Sequence, residues 1–164
     1  KSSEEFGETY QQIFLLMAYT GLSIKDAISL KRSQIDKDNF IQKKRAKSGE
    51  DILTFLCDKA RNIIDSIPID IKNPDHIFSV PNNKAVATAI NRTFKKAGVV
   101  GSSKSLRHYV GSVLLDERVP EKVIGLILGH APGSKITGRY LHPVKETIKL
   151  GFQAAFDKVQ VEAI

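Results

Sequence analysis

The amino-acid sequence predicts a mainly α-helical domain with one small antiparallel β-hairpin. Apolar residues recur at helical spacing through most of the 164-residue chain, and two short apolar runs, at residues 40–41 and 52–56, flank a segment of turn-forming residues. Hydrophobic residues make up 41% of the chain and charged residues 26%, which is typical of a domain that is long enough to bury a core.

Helices are predicted where apolar side chains fall three or four positions apart. Ser23 followed by Asp26 has the pattern of a capping box at the start of the second helix, and Asn82 or Asn83 can cap a later one. Pro120 suits the first turn of a helix. The predicted helices cover residues 4–19, 23–30, 58–67, 83–97, 105–117 and 120–128, followed by a short helix that reaches Tyr140 and a last amphipathic helix after Pro143.

The hairpin is predicted from two strands, Phe40–Ile41 and Ile52–Leu56, which are joined through the turn-forming run Lys47–Glu50. The tip of this hairpin is strongly basic. Its basic residues are Lys43, Lys44, Arg45 and Lys47.

The charge balance favours a polyanionic partner. Lys and Arg total 25 against 18 Asp and Glu, which gives a formal charge of +7, and neutralising phosphates releases counterions. No apolar run reaches the roughly 18 residues of a membrane span, and the single Cys57 excludes an internal disulfide or a multi-cysteine metal site. We therefore expect a reducing, intracellular setting. Because the chain opens with Lys1 rather than Met, we also expect it to be part of a longer protein.

Four separated segments carry side chains with potential chemistry. They are Lys47, Lys104–His108, Leu128–His130 and Thr137–Tyr140. Taken singly, each fits an ordinary role: an exposed lysine in a turn, a basic pair at a helix start, a histidine in a turn, and a half-buried tyrosine at a helix end. Their order and spacing are more specific than any one of them.

In this order the four segments, together with Thr20–Leu22, resemble the tyrosine recombinase family. Arg107 precedes His130 by 23 residues and His130 precedes Tyr140 by 10, which is similar to the family spacing. The resemblance covers nearly the whole chain. It implies that residues 1–164 form the family's catalytic domain, a mostly helical bundle with a small sheet, and that an N-terminal DNA-binding domain lies outside this sequence.

The resemblance also implies a reaction, in which double-stranded DNA is cut and rejoined through a 3′-phosphotyrosine on Tyr140, with no metal or cofactor. Arg107 would stabilise charge on the non-bridging oxygens. Lys47 would protonate the leaving 5′-oxygen, and His130 would hydrogen-bond a phosphate oxygen or help to deprotonate the tyrosine. The enzyme would act as a homotetramer on two duplexes, in the bacterial cytoplasm, for a mobile element.

Two positions depart from the family pattern. Ser23 stands where the family has an arginine after Thr-Gly-Leu, and a serine cannot supply that charge. Integrases of Bacteroidetes conjugative transposons look similar here, with an arginine two residues before the hairpin lysine; Arg45 has that spacing from Lys47, and it either replaces the missing arginine or contacts the DNA backbone. Lys104 stands where the family has a histidine. It offers a phosphate contact but no base near neutral pH, which leaves that role to His130.

Three alternatives stay open at the level of sequence. A type IB topoisomerase uses the same chemistry, although the Leu128–His130 segment and the small size argue against it. A DNA-binding remnant that keeps the fold without cleavage would accommodate Ser23 and Lys104. In the last helix, Phe152 and Phe156 either dock onto a neighbouring protomer or fold back onto their own domain.

Overall fold

The computed structural model describes residues 3–80, 82–130 and 138–157, and for residues 3–6, 138–140 and 157 it describes the backbone only. Within these ranges two helices precede a β-hairpin and five helices follow it. The elements are α1 (Ser3–Thr20), α2 (Ile24–Ile28), a 3-10 turn (Arg32–Gln34), β1 (Phe40–Lys44), β2 (Asp51–Phe55), α3 (Asp58–Ser66), α4 (Asn83–Lys96), α5 (Ser103–Asp116), α6 (Glu121–Ile127) and α7 (Gly138–Asp157).

Side-chain caps fix where several helices begin. Ser23 caps α2 and Asn82 caps α4, as the sequence predicts. Helix α5 begins at Ser103, slightly earlier than predicted, because Ser105 Oγ accepts the N–H of Ser102 (3.0 Å), a cap that the sequence interpretation overlooked.

The core forms around α1 and the hairpin. Ile13, Leu16 and Met17 on α1 are fully buried, and this helix packs against α2, α3, α4 and α5. The two strands pair antiparallel as predicted, with Phe40 opposite Phe55, and β2 is covered by α6 and α7. Each large apolar side chain buried in this way stabilises the fold by roughly 1.5–3 kcal/mol.

The hairpin tip is less basic than the sequence predicts. Lys43 Nζ donates hydrogen bonds to the carbonyl of Asp26 (2.8 Å) and to Ser29 Oγ (2.9 Å) at the end of α2. Lys44 Nζ lies 2.6 Å from the carboxylate of Asp51 on the opposite strand. Two of the four basic residues therefore hold the hairpin in place and do not present free charge at its tip.

Helix α7 differs from the prediction. The sequence predicts a short helix up to Tyr140 and a separate helix after Pro143, but one continuous helix runs over Gly138–Asp157 with the proline inside it. Because proline has no N–H, the carbonyl of Arg139 loses its intrahelical partner. Burial of the apolar face beyond this point, which includes Ile148, outweighs that cost.

The end of α7 folds back onto its own domain. Phe152 and Phe156 are fully buried, and their ring centroids lie 6.3 Å from Phe55 and 5.5 Å from Tyr19, respectively. These two side chains therefore belong to the core of their own chain, contrary to the docking onto a neighbouring protomer that the sequence left open. The predicted last helix also includes Val159, which lies outside the described residues.

Two classes of feature are absent from the part of the chain that the structure describes. No helix there combines the length and the apolar character needed to cross a membrane. In the same residues, no group of three or more His, Cys, Asp or Glu side chains is arranged to hold a metal ion.

Candidate active site

Arg107, on the second turn of α5, lies at the centre of the candidate site. Only 8% of the residue is exposed. Its Nη1 donates to the carbonyl of Gly21 (2.6 Å), and its Nη2 donates to the carbonyl of Leu128 and lies 3.2 Å from His130 Nε2. A single guanidinium thus joins three of the sequence segments, and its planar fork is fixed from two sides.

The turn after α1 brings one of these carbonyls to Arg107. The Thr20 carbonyl accepts a hydrogen bond from Thr54 Oγ1 on β2 (2.9 Å), which fixes the turn against the hairpin. Gly21 has φ +71°, and a Cβ there would lie 2.8 Å from Leu128 Cδ2. Glycine adopts this backbone conformation without strain and leaves room for the Leu128 side chain.

The turn after α6 holds two arginines on adjacent carbonyls. The Leu128 carbonyl accepts from Arg107, and the Gly129 carbonyl accepts from Arg45 Nη1 at 3.0 Å. Gly129 has φ +61°, and the His130 N–H closes the turn onto the Gly125 carbonyl at 2.7 Å. The Leu-Gly-His segment therefore positions Arg107 and Arg45 through its carbonyls, in addition to supplying the histidine.

Arg45 reaches the site from the hairpin. Its Nε is buried and has no hydrogen-bond partner among the described residues. Its positive charge contributes to lowering the pKa of Arg107, second to burial, and the pKa of His130, third after burial and Arg107. Such effects require the charges to lie close together. The structure thus brings Arg45, Arg107 and His130 into one cluster.

Arg45 and Lys47 do not share one face of a strand, although their i, i+2 spacing would place them so if the strand reached the turn. Strand β1 ends at Lys44, and residues 46–48 form the turn itself. Arg45 points to the turn after α6, whereas Lys47 is exposed and has no hydrogen-bond or ion-pair partner among the described residues. The structure therefore does not bring Lys47 into the cluster.

Asp26 is a residue of this site whose position the sequence interpretation missed. It is fully buried, and one carboxylate oxygen accepts the N–H of Ala46 in the hairpin loop at 2.8 Å. The other accepts the hydroxyl of Ser23, so the carboxylate does not complete the capping box by reaching the Ser23 N–H. The signal was an acidic residue among the apolar positions of α2. Its effect is to fasten the hairpin loop next to Arg45 onto the start of α2.

The contact with Arg107 determines the protonation state of His130. A guanidinium has only donors, so Nε2 must be the acceptor and the neutral ring then carries its proton on Nδ1. Burial, then the nearby Arg107 and Arg45, and then His108 lower the pKa of His130, which favours the same neutral form. In this state Nδ1–H is left as a donor.

Two predicted site residues remain, Lys104 and Tyr140. Lys104 is exposed on the first turn of α5, three residues before Arg107 and so on the same side of the helix. The backbone of Tyr140 lies in the first turn of α7, but its side chain lies outside the described residues, as does Thr137.

Comparison with known proteins identifies the family. Residues 2–147 match the model of the phage integrase family, while no curated protein matches the chain. The integrase from mycobacterium phage Brujita is 20% identical with a TM-score of 0.72, over 93% of this chain and 53% of that one. A lambda integrase(75-356) dimer bound to a COC' core site is 17% identical with a TM-score of 0.56, over 99% of this chain and 62% of that one.

A third structure is the XerH site-specific recombinase bound to a palindromic difH substrate, a post-cleavage complex. It is 17% identical with a TM-score of 0.60, over 96% of this chain and 45% of that one. The chain thus spans 45% to 62% of the length of these three structures. Their likeness supports the predicted fold, a mostly helical catalytic domain with a small two-stranded sheet. Because the family model covers most of its length, the chain belongs to the phage integrase family, the tyrosine recombinases.

Proposed function

We propose that the protein cuts and rejoins double-stranded DNA at specific sites, for recombination or integration, through a 3′-phosphotyrosine intermediate. The observation that carries this proposal is the cluster of Arg107, Arg45 and His130, in which two guanidinium groups are held side by side by the turn after α6. Such a cluster suits a phosphate whose non-bridging oxygens gain negative charge in the transition state.

Tyr140 is the proposed nucleophile. Its Oη forms a bond to phosphorus while the bond from phosphorus to the 5′-oxygen breaks, which leaves a 3′-phosphotyrosine and a free 5′-hydroxyl. Attack by a 5′-hydroxyl reverses these steps and releases the tyrosine. The backbone of Tyr140 lies at the start of α7, and β2, which α7 packs on, belongs to the hairpin that carries Arg45.

Arg107 and Arg45 are the proposed stabilisers of the transition state. Arg107 needs no movement to act, because two carbonyls fix its fork before DNA binds. Arg45 takes the part of the arginine that the family carries at Ser23. Two contacts support this exchange: the Gly129 carbonyl holds Arg45 next to Arg107, and Asp26 holds the backbone of the adjacent hairpin residue.

Lys47 and Lys104 are proposed to act on the substrate from the exposed side of the site. Lys47 would donate the proton that the leaving 5′-oxygen needs, and its exposure in the hairpin loop leaves it free to approach DNA. Lys104 would contact a phosphate. His130 would donate Nδ1–H to a phosphate oxygen, while its Nε2 is engaged by Arg107. Service as the base for Tyr140 would require that contact to break.

The proposed partner is double-stranded DNA, on which four copies of the protein act on two duplexes. The +7 charge supports a polyanionic partner, and the lambda integrase and XerH structures hold a core site and a difH substrate. We further propose that residues 1–164 are the catalytic domain and that a separate N-terminal domain contributes to DNA binding. The hairpin pattern Arg45-Ala46-Lys47 supports a relation to integrases of Bacteroidetes conjugative transposons, in the bacterial cytoplasm.

A cleavage-impaired, DNA-binding remnant is the second candidate function. The observation in its favour is that Ser23, at the position of the family arginine, is engaged as the cap of α2 and as a partner of Asp26. A type IB topoisomerase, which would use the same chemistry without joining two duplexes, is the third.

A nicked suicide substrate, from which the 5′-hydroxyl fragment diffuses away, separates these candidates. The wild-type protein should form a DNA adduct that survives denaturant, whereas Tyr140→Phe should bind DNA nearly normally and form none. No adduct with the wild type would favour the remnant, and an adduct that persists in Tyr140→Phe would exclude this nucleophile. Strand exchange between two duplexes, as opposed to relaxation of one supercoiled circle, would distinguish the recombinase from the topoisomerase.

A further inference from the structure

A partly buried ion pair connects the base of the hairpin to the helix that carries Tyr140. Lys145 Nζ on α7 lies 2.6 Å from Asp36 Oδ2, and the two side chains are 21% and 32% exposed. The same Nζ lies 4.6 Å from the centroid of the Phe40 ring, the first residue of β1. Partial burial and a short distance make this contact stronger than a surface pair.

Backbone hydrogen bonds hold the carboxylate of Asp36 in place independently of Lys145. Its Oδ1 accepts the N–H groups of Asp38 (3.0 Å) and Phe40 (2.9 Å), and its own N–H donates to the Phe40 carbonyl (2.9 Å). Partial burial opposes ionisation, but the hydrogen bonds from Lys145, Phe40 and Asp38 outweigh it and hold the pKa of Asp36 below its usual value. Oδ2 is therefore a fixed, charged point at the entry to β1.

Lys145 lies five residues after Tyr140, which is about 7.5 Å along the helix axis. Pro143 stands between them, so the helix lacks one of the hydrogen bonds that tie its first turn to its second. Leu141, next to the tyrosine, borders a cleft of about 410 Å³ whose other wall is formed by the hairpin. Because this cleft lies between Leu141 and the hairpin, the position of the first turn of α7 depends on where the following turns of the helix are anchored.

We propose that Asp36 and Lys145 are positioning residues for the nucleophile: their contact sets the distance between the first turn of α7 and the hairpin that carries Arg45 and Lys47. This inference rests on the proposed cleavage chemistry. Neither side chain touches the DNA phosphate in this mechanism. They hold the helix that carries the tyrosine at a fixed distance from the hairpin. A displacement of about 1 Å at a reacting group can lower a rate about a hundredfold.

The test is single-turnover cleavage of a nicked suicide substrate at saturating DNA. Lys145→Met and Asp36→Asn should each cleave about tenfold to a hundredfold more slowly than the wild type. The double variant should be no slower than the slower single variant, because both substitutions break one contact. Lys145→Arg, which keeps the charge, should retain most of the rate. The controls are Lys149→Met, with the same charge change one turn further along α7, and Asp38→Asn in the same turn as Asp36.

Two further measurements separate positioning from general stability. Melting curves set an assay temperature at which every variant is folded, and Asp36→Asn keeps the Oδ1 acceptor if Lys145→Met proves too unstable. The defect should also persist on a 5′-bridging phosphorothiolate, because a sulfur leaving group relieves only a missing proton donor. Rescue by sulfur would show that the pair acts through Lys47 and would overturn the assignment to the tyrosine helix.

The outcomes distinguish this inference from the proposed function. If the wild type forms no covalent adduct, the proposed function itself fails. If the wild type forms the adduct and Lys145→Met cleaves as fast as Lys149→Met, the positioning role alone is overturned. Additive effects of Asp36→Asn and Lys145→Met would likewise reject it, since the two residues would then act separately.

Discussion

Replacing Arg45 by alanine tests the least expected part of the site. In the structure Arg45 Nη1 is fixed on the Gly129 carbonyl at 3.0 Å, and its buried Nε has no partner among the described residues. Arg45 as a whole is half-buried, and its guanidinium has further N–H donors beside the one on Gly129, so the side chain offers a preorganised donor to a phosphate oxygen. Losing one such donor typically slows a reaction about a hundredfold to a thousandfold, and we expect Arg45→Ala to lower single-turnover cleavage by that factor.

The assay combines cleavage of a saturated nicked substrate with a salt titration of binding. The loss of one phosphate contact should reduce the slope of log K against log salt by about 0.9, which is a modest change. Lys44→Ala is the matched control, because it removes one charge from the neighbouring position, where the side chain pairs with Asp51. A normal cleavage rate for Arg45→Ala on saturated DNA, together with weakened binding, would show that Arg45 only contacts the DNA backbone and does not stabilise the transition state.

A second readout of Arg45→Ala needs no DNA. The pKa of His130 is lowered first by burial, then by Arg107 and then by Arg45. Removing Arg45 should therefore raise the pKa of His130 towards its ordinary value, while burial and Arg107 keep it below that value. An NMR titration of the imidazole measures the change, and no change would mean that Arg45 does not occupy the cluster in solution.

Three further predictions concern the other members of the site. Arg107→Ala should slow cleavage at least about a hundredfold and should also lower the melting temperature, since the Gly21 and Leu128 carbonyls each lose a buried partner at a cost of about 1–3 kcal/mol; near-normal cleavage on saturated DNA would move the role to another residue. Lys47→Ala should cleave ordinary DNA slowly but recover on a 5′-bridging phosphorothiolate, and equal defects on both substrates would exclude it as the acid. For His130, cleavage should fall as the pH drops through its lowered pKa, because protonation ends the Nε2 contact with Arg107. Because the pKa of His130 is lowered in the folded state, the unfolded chain binds the imidazole proton more readily below a pH of about 6.5. The free energy of unfolding should therefore also decrease as the pH falls from about 6.5 to the folded-state pKa. His130→Asn should remove the acid limb from both the cleavage profile and the stability profile.

Much of the fold follows from local signals in the sequence. The hairpin was predicted because two apolar runs flank a turn, and α2 because Ser23 precedes an apolar run. Helix α7 could not be predicted as one element from local rules. Pro143 normally ends or kinks a helix, and what carries the helix past it is the burial of Phe152 and Phe156 against residues far away in the chain. Tertiary packing of this kind leaves no local signal.

The same distinction applies to the site. The resemblance to the family places Arg107 and His130 in one site, and in the structure the two side chains lie in contact. Spacing failed for Arg45 and Lys47, because the end of β1 at Lys44 depends on how the hairpin loop is held. That depends in turn on Asp26, whose contact with the loop joins residues 20 positions apart. No local rule predicts which partner a buried carboxylate will take.

For Arg45 of the hairpin to replace the arginine that the family carries at Ser23, an arginine in the hairpin is not sufficient. A cation on a hairpin loop is useful to chemistry only if the loop is held still, and here Asp26 holds it through the N–H of Ala46. Ser23 supports Asp26 through its hydroxyl, at the position where the family carries an arginine. Ser23 therefore contributes to the site by fixing the hairpin loop that carries Arg45.

The substitution Ser23→Arg should have two opposed effects. It returns a cation to α2, but it removes a cap worth about 1 kcal/mol along with a partner of Asp26. Added to Arg45→Ala it should restore cleavage only in part, whereas in the wild-type background it should slow cleavage, since there the loss of loop anchoring has no compensating gain.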